Sequence, residues 1–280
     1  AKFYQSRNAW FKELAFVYDY FAKFGYNPTK KKASFRGGDF SNLKKDKFWI
    51  YNPNYNEVHF SPFHLNNKTV AKYISKLNKV QPKYFHGYPS IFITLAKLMS
   101  SQGLKLKYKP DTIFIISEGF KKKDVNFLKF FFNCEVSSFY GHSERLVFAI
   151  GDEKLESYTP NPMYGYFELV DEKGNVIEEN NISGEIIGTS FDNKAMPLIR
   201  YKTGDFTYYI DYKTKKFAPI TGKWGQTTLT GINDEEITLT ALNLHSNELD
   251  DLLKVQFVQK ERGKVMLYVM FKDNGGKNNT

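Results

Sequence analysis

Residues Ile113 to Ile116 form an unbroken apolar run between two helical patterns, and this run constrains the fold more than any other part of the chain. A strand with one wet face alternates polar and apolar residues, whereas an all-apolar strand is buried on both faces, as in a parallel sheet covered by helices. The neighbouring segments supply such helices. Asn8 to Phe24 repeats apolar residues at Trp10, Leu14, Val17, Phe21 and Phe24 and stops at Gly25 and Pro28. Thr69 to Val80 reads as a second helix, broken at Gln81-Pro82 before a strand at Tyr84-Phe85. Ile91 to Met99 reads as a third helix and Lys122 to Phe132 as a fourth. Strands alternating with helices predict an α/β sheet with parallel pairing, whose strand ends are where such folds bind ligands. From Tyr164 onward the pattern changes to hairpins: Tyr166 to Asp171, Gly184 to Thr189 and Phe206 to Ile210, with turns at Lys173-Gly174-Asn175 and Tyr212 to Lys216. Thr238 to Leu253 reads as helix and Val265 to Phe271 as strand. The expected fold class is therefore α/β, mixed sheets flanked by helices plus a β-rich subdomain, with a further α+β segment after Gly222.

Two strand-to-loop junctions carry the chemistry. The strand beginning at Gly184 leads toward Arg200-Tyr201-Lys202-Thr203-Gly204-Asp205. An ionised Asp205 can accept two hydrogen bonds from neighbouring hydroxyls, as on a ribose, and the nearby cations suit phosphate; an edge hairpin with a solvated charged tip has the same composition. Glu135 to Glu144 is the second junction. Here Gly141 lets a ligand approach the backbone, Tyr140 offers a ring to a base, Ser143 a hydroxyl to phosphate and Glu144 a hard oxygen to magnesium. Tyr140 also suits a core and Glu144 a helix start.

In this order, with the His86-Gly87-Tyr88-Pro89-Ser90 turn and the Ser117-Glu118-Gly119 loop before them, these segments resemble the adenylate-forming (AMP-binding) enzyme superfamily. The resemblance is strongest to its phenylacetate-CoA ligase-like branch, which includes capsular polysaccharide biosynthesis proteins of the CapK type. It runs from about Lys2 to about Lys272, and its last two motifs are the specific ones. It implies a ligase that converts a carboxylic acid and ATP to an acyl-adenylate and pyrophosphate. The acyl group then passes to coenzyme A or to an amine or hydroxyl, such as one on a polysaccharide precursor. By similarity Ser117, Glu118 and Gly119 would line the adenine pocket, and Tyr140 would stack on the base. Ser143 would touch the phosphate of ATP or AMP, and Gly141 would let the backbone approach the nucleotide. His142 lies in the same loop, facing either phosphate or solvent; Glu144 would hold Mg2+, and Asp205 would grip the ribose. His86, Gly87, Tyr88 and Pro89 would face the acid, with the helix from Ile91 to Met99 as a pocket wall; a lone histidine at a strand end and an apolar helical stripe equally suit structure. The implied division is an adenylating domain over residues 1–221 and a partial C-terminal domain over residues 222–280.

The departures from the family pattern are specific. The Gly/Ser-rich phosphate loop is expected just before a strand at Lys2 to Ser6, and the chain opens at Ala1. The hinge, usually Gly-Arg, is Gly222-Lys223-Trp224-Gly225, so Lys223 keeps a positive charge but lacks the arginine fork. The family's late catalytic lysine is not assigned to Lys277, in a polar tail. These departures keep open a non-catalytic nucleotide-binding or basic scaffold protein.

Cys134 is the single cysteine, which argues against a disulfide framework and a multi-cysteine zinc site; it reads as a packing residue in a cytoplasmic protein. The net charge of +10 comes from short lysine runs at Lys30 to Lys32, Lys44-Lys45-Lys47, Lys121 to Lys123 and Lys213-Lys215-Lys216. They carry no helix-turn-helix or zinc-finger pattern and read as solvated surface, leaving small-molecule partners rather than specific nucleic acid. No stretch approaches the roughly 20 apolar residues of a membrane span.

Overall fold

The apolar run at residue 113 lies at the centre of the fold. The computed structural model describes residues 4–40, 47–220, 222–223, 229–232, 236–237 and 252–271. Two compact units result, Ala1–Gly225 and Gln226–Thr280. In the first, α1 (Ala9–Ala22) is followed by β1 (Lys32–Phe35), β2 (Trp49–Asn52), β3 (Glu57–Phe60), α2 (Val70–Val80), β4 (Tyr84–Gly87), α3 (Pro89–Ser101), β5 (Thr112–Ile115), α4 (Lys122–Phe132) and β6 (Glu135–Tyr140). The strand order is β2-β3-β1-β4-β5-β6, all neighbours parallel except the antiparallel edge strand β2. Chain order and sheet order coincide from β4 to β6, because each crossover carries one helix.

Both faces of this parallel region are covered, as the unbroken apolar pattern requires. On one face Ala33, Phe35, Val58, Phe60, Phe85, Ile113, Ile115 and Val136 pack with Tyr73 and Leu77 of α2, Phe92, Leu95 and Met99 of α3, and Leu128 of α4. Each fully buried large side chain contributes roughly 1.5–3 kcal/mol. On the other face Tyr20 and Phe21 of α1 meet Tyr84, Phe114 and Phe148, with Phe21 stacked on Phe114 at 3.8 Å. The α3 face that packs into the core carries Phe92, Leu95, Ala96 and Met99, with Ile91 and Leu98 partly buried beside it. Its apolar stripe is therefore core packing. α4 begins where the Lys121 N–H donates to Asp124 at 2.9 Å and ends at left-handed Asn133. Cys134 follows, buried, its thiol pushed up to about 12 by burial, as a packing residue would be.

The sheet continues in antiparallel fashion through β7 (Ala149–Gly151), β8 (Tyr158–Pro160), β12 (Lys216–Phe217), β11 (Tyr201–Asp211), β10 (Ser183–Ser190) and β9 (Gly165–Val170), with β13 (Gly222–Lys223) on β11. The expected β-rich subdomain is thus hydrogen-bonded to the parallel sheet through β6 and β7. The second unit pairs β14 (Leu229–Thr230) with β15 (Glu236–Ile237) and β16 (Leu252–Glu261) with β17 (Lys264–Phe271). The Gln259 amide joins the two pairs by bonding both the N–H and the carbonyl of Thr230 at 2.7 Å. No helix among the described residues is long and apolar enough to cross a membrane.

Three expectations change. Tyr4 to Ser6 is not a strand; Ser6 is tied to the loop before β11, its N–H donating to Asn193 at 3.0 Å. Leu252 and Leu253, expected to end a helix, open β16, while residues 238–251 lie outside the described residues, as do Lys2, Lys44, Lys45, Trp224, Gly225 and Lys277. The lysine run at Lys30 is not all surface: Lys32 begins β1 and is buried.

Lys32 is held by an ion pair. Its Nζ lies 3.0 Å from Glu57 on β3, and both side chains are almost wholly buried. Ser34 donates to the same carboxylate, and an Arg36 guanidinium nitrogen lies 3.6 Å away. Burial pushes the Glu57 carboxyl up, but Lys32, Arg36 and Ser34 outweigh it and hold it at about 2. Burial also pulls the Lys32 ammonium down, against the opposing pull of Glu57.

A carboxyl whose folded-state value lies below its unfolded value of 4.5 contributes stability that is complete above pH 4.5 and lost as pH falls toward about 2. The contribution is on the order of 3 kcal/mol. Glu57→Gln leaves Lys32 buried and unpaired, and urea unfolding is expected to show a loss of roughly 3–5 kcal/mol. The double variant Lys32→Met/Glu57→Gln should recover most of it, and neither variant should retain this part of the acid-limb slope. A loss below about 1 kcal/mol for Glu57→Gln would place the pair in solvent instead.

Candidate functional site

The first three motifs fall at the carboxyl ends of three adjacent parallel strands. β4 ends at Gly87, β5 at Ile115 and β6 at Tyr140, so their loops emerge side by side at the strand spacing of about 4.8 Å. The loops are also joined. Pro89 opens α3, a position that its missing N–H suits, and the following Ser90 N–H donates to the Glu118 carboxylate at 3.2 Å. Glu118 thus sits against the positive end of α3.

Gly87 and Gly141 differ in what requires them. A Cβ on Gly87 would lie 2.1 Å from the Phe35 carbonyl oxygen, so β1 itself demands glycine there. A Cβ on Gly141 would meet Phe139 at 3.6 Å and the Val147 carbonyl at 3.8 Å, ordinary contacts that demand nothing. Tyr88 is buried, its N–H donates to the Phe35 carbonyl at 3.1 Å, and its hydroxyl accepts from the Gly37 N–H at 3.0 Å. Gly87 and Tyr88 therefore lock β4 to β1. Ser117 and Arg145, which follow β5 and β6, hold left-handed backbone at φ +65° and +57°. For residues with a Cβ such conformations cost about 1 kcal/mol or more and concentrate at functional loops.

The fourth motif reaches the third through one hydrogen bond. The Tyr140 hydroxyl donates to Asp205 Oδ2 at 2.8 Å, with both residues buried. Burial pushes the phenol well above its usual range, and the Asp205 charge adds to this, so Tyr140 remains the donor. The tyrosine ring is stacked with His142 at 5.7 Å and meets Phe217 edge-on at 5.9 Å. Ser143 is exposed and Glu144 half-buried on the same loop.

A bulge sets Asp205. Glu185 pairs with Phe206 and Ile187 with Lys202, so one β10 residue faces three on β11, Thr203 to Asp205. Gly204, at φ +74°, supplies the left-handed residue, and its N–H donates to Glu185 at 3.1 Å. The Thr203 hydroxyl accepts from the Asp205 N–H at 3.1 Å. Lys223 on β13 is the register partner of Asp205, so the described part of the expected hinge pairs with β11 at that residue. The two cations expected to suit phosphate are differently employed: Arg200 pairs with Glu168 at 3.2 Å and Lys202 with Glu185 at 3.7 Å.

A magnesium ion is implied by the motif around Glu144. Among the described residues no group of three or more His, Cys, Asp or Glu could hold a metal. A single half-buried carboxylate still fits, because Mg2+ is commonly held by one or two carboxylates together with substrate phosphates and water.

Sequence reasoning missed the polar cluster beside His86. Ser34 and His59 are register partners across β1 and β3, and Ser34 and His86 across β1 and β4, so the three share one face with Lys32 and Glu57. The signal was present: Lys32-x-Ser34-x-Arg36 and Glu57-x-His59 alternate with apolar residues at the strand period of two. Burial holds the His86 imidazole well below its usual range, aided by Lys32 and Arg36, so it is neutral. Its two ring nitrogens and Arg36 Nε have no hydrogen-bond partner among the described residues. Each such buried group costs about 1–3 kcal/mol when left unmet.

Tyr140→Phe keeps the ring and removes the donor to Asp205. Chemical denaturation is expected to show a loss of about 1–3 kcal/mol. A change below about 0.5 kcal/mol would mean that Asp205 does not depend on the tyrosine.

No protein-family model matches the chain. Among curated proteins it is 28% identical to Protein CapK of Staphylococcus aureus over 290 residues, covering 99% of this chain and 62% of that protein. Among solved structures it superposes on 2-hydroxyisobutyryl-CoA ligase in the postadenylation state in complex with R3-HIB-AMP. That match has a TM-score of 0.56 at 15% identity and covers 91% of this chain and 56% of the other. The same ligase in complex with 2-HIB-AMP and CoA in the thioesterification state gives a TM-score of 0.57 at 15% identity, covering 88% and 54%. The chain thus spans 62% of the curated relative's length and 54–56% of the ligase's.

Proposed function

We propose that this chain, which has the fold of the adenylate-forming ligases and is related to Protein CapK, activates a carboxylic acid with ATP as an acyl-adenylate and supports its transfer to an acceptor. The observation that carries this reading is the buried Tyr140–Asp205 hydrogen bond, which joins a strand-end loop of the parallel sheet to a bulged strand of the antiparallel region. On this reading residues 1–221 are the adenylating domain and residues 222–280 the beginning of a C-terminal domain. The acid is of the kind handled by the phenylacetate-CoA ligase-like branch, and the acceptor is coenzyme A or a sugar amine or hydroxyl. Cytoplasm, where ATP and coenzyme A are both available, is the proposed location.

In the reaction the acid's carboxylate oxygen attacks the α-phosphorus of ATP, forming the acyl–phosphate bond as the bond to pyrophosphate breaks. The protein's task is to hold the partners in line and to stabilise charge, with no side-chain nucleophile. Asp205 orients the ribose by accepting from its hydroxyls, and the Tyr140 hydrogen bond holds the carboxylate in place for this. Tyr140 and the loop from Ser117 to Gly119 border the base, with Gly141 leaving room for close backbone approach. His142, Ser143 and Lys223 are assigned to the phosphate side. Glu144 would hold Mg2+, which neutralises phosphate charge when bound.

Calorimetric titration with ATP and AMP, with and without magnesium, tests these roles. Asp205→Ala is expected to weaken AMP by about 10- to 100-fold, the value of charge-assisted hydrogen bonds to the ribose. Glu144→Gln should remove the magnesium dependence of ATP binding while AMP still binds. Unchanged affinities in both variants, with thermal melts showing intact folding, would contradict the assignment.

A further inference from the structure

The polar cluster on β1, β3 and β4 has a charge and hydrogen-bonding surplus that the protein's own described groups do not meet. Two cations, Lys32 and Arg36, face one carboxylate, Glu57. Ser34 is committed to Glu57, and the His59 ring to the Arg36 carbonyl at 3.0 Å. What remains is one excess positive charge, Arg36 Nε, and both nitrogens of His86, a residue only 8% exposed.

The cluster is continuous with the strand-end loops. Arg36 follows β1 directly, the next residue, Gly37, donates to Tyr88, and the turn after Tyr88 reaches Glu118 through Ser90. β4 lies two strands from β6, about 10 Å away, a distance that one extended small molecule can bridge. From these observations we infer that the acid activated at this site carries a second anionic group, and that Arg36 and His86 receive it. The inference rests on the adenylating function proposed above and names its substrate class, a dicarboxylate or an acid of equivalent charge. An apolar tail would leave the unmet groups dry and the excess cation uncompensated; a second carboxylate accepts hydrogen bonds from both residues and balances the charge.

The test is calorimetric titration of the full chain with two pairs of acids, in the presence and absence of α,β-methylene-ATP. Succinate is compared with butyrate and adipate with hexanoate; each dicarboxylate carries a carboxylate where its partner has a methyl. At least one dicarboxylate is expected to bind about tenfold or more tightly than its partner, with Arg36→Gln and, separately, His86→Phe bringing the ratio to within about twofold. Arg36 is half-exposed, so its variant reads the effect even if the buried His86 substitution unfolds the chain. Equal binding within each pair, absence of acid binding, or a preference that survives the Arg36 substitution would overturn the inference and leave the cluster as a water-filled structural network. AMP titrated in parallel separates the two readings. AMP binding without a dicarboxylate preference sinks only the second anion, whereas a preference without AMP binding sinks the nucleotide assignment.

Discussion

The hydrogen bond from Tyr140 to Asp205 is the interaction on which the site depends. Tyr140 ends the last parallel strand and Asp205 leaves a bulge in the antiparallel region, 65 residues later. A charged carboxylate buried this deeply needs donors, and a phenol kept protonated by the same burial is a suitable one. The bond also has a steric condition. A side chain at the left-handed Gly204 would strain the bulge that carries Asp205. One glycine and one phenol thus fix the carboxylate that the proposed function assigns to a ribose.

A second constraint acts at the opposite end of the parallel sheet. Lys32, Glu57 and Ser34 form a buried ionic network within strands whose other face is fully apolar. Replacing such a pair with hydrophobic residues often costs nothing, so stability alone gives weak reason to keep it. Its neighbours Arg36 and His86 have polar atoms with no partner among the described residues, the ground for the inferred second anion.

What was legible in the sequence was local. The run from Ile113 to Ile116 announced a strand buried on both faces because its environment is apolar on both sides. The helices from Lys122 and Val70 kept their apolar spacing and emerged nearly where expected. Asp205, Tyr140 and the Ser117 loop were singled out as strand-to-loop junctions in a family-like order, and the hydrogen bond that joins Tyr140 to Asp205 across 65 residues was not legible there. Lys32 was misread because a run of three lysines has the composition of a solvated surface, and only the register with Glu57 shows that its last member is inside. The pairing of Arg200 with Glu168 and of Lys202 with Glu185 was equally hidden, since both depend on which strands become neighbours. Short strands such as β7 and β12 exist because a partner is present, and carry almost no signal of their own.

The most direct measurement is a crystal structure of the chain with AMP bound. The account predicts the adenine against the Tyr140 and Ser117–Gly119 loops, and both ribose hydroxyls within hydrogen-bond distance of the Asp205 carboxylate. AMP bound elsewhere, or a ribose turned away from Asp205, would contradict it.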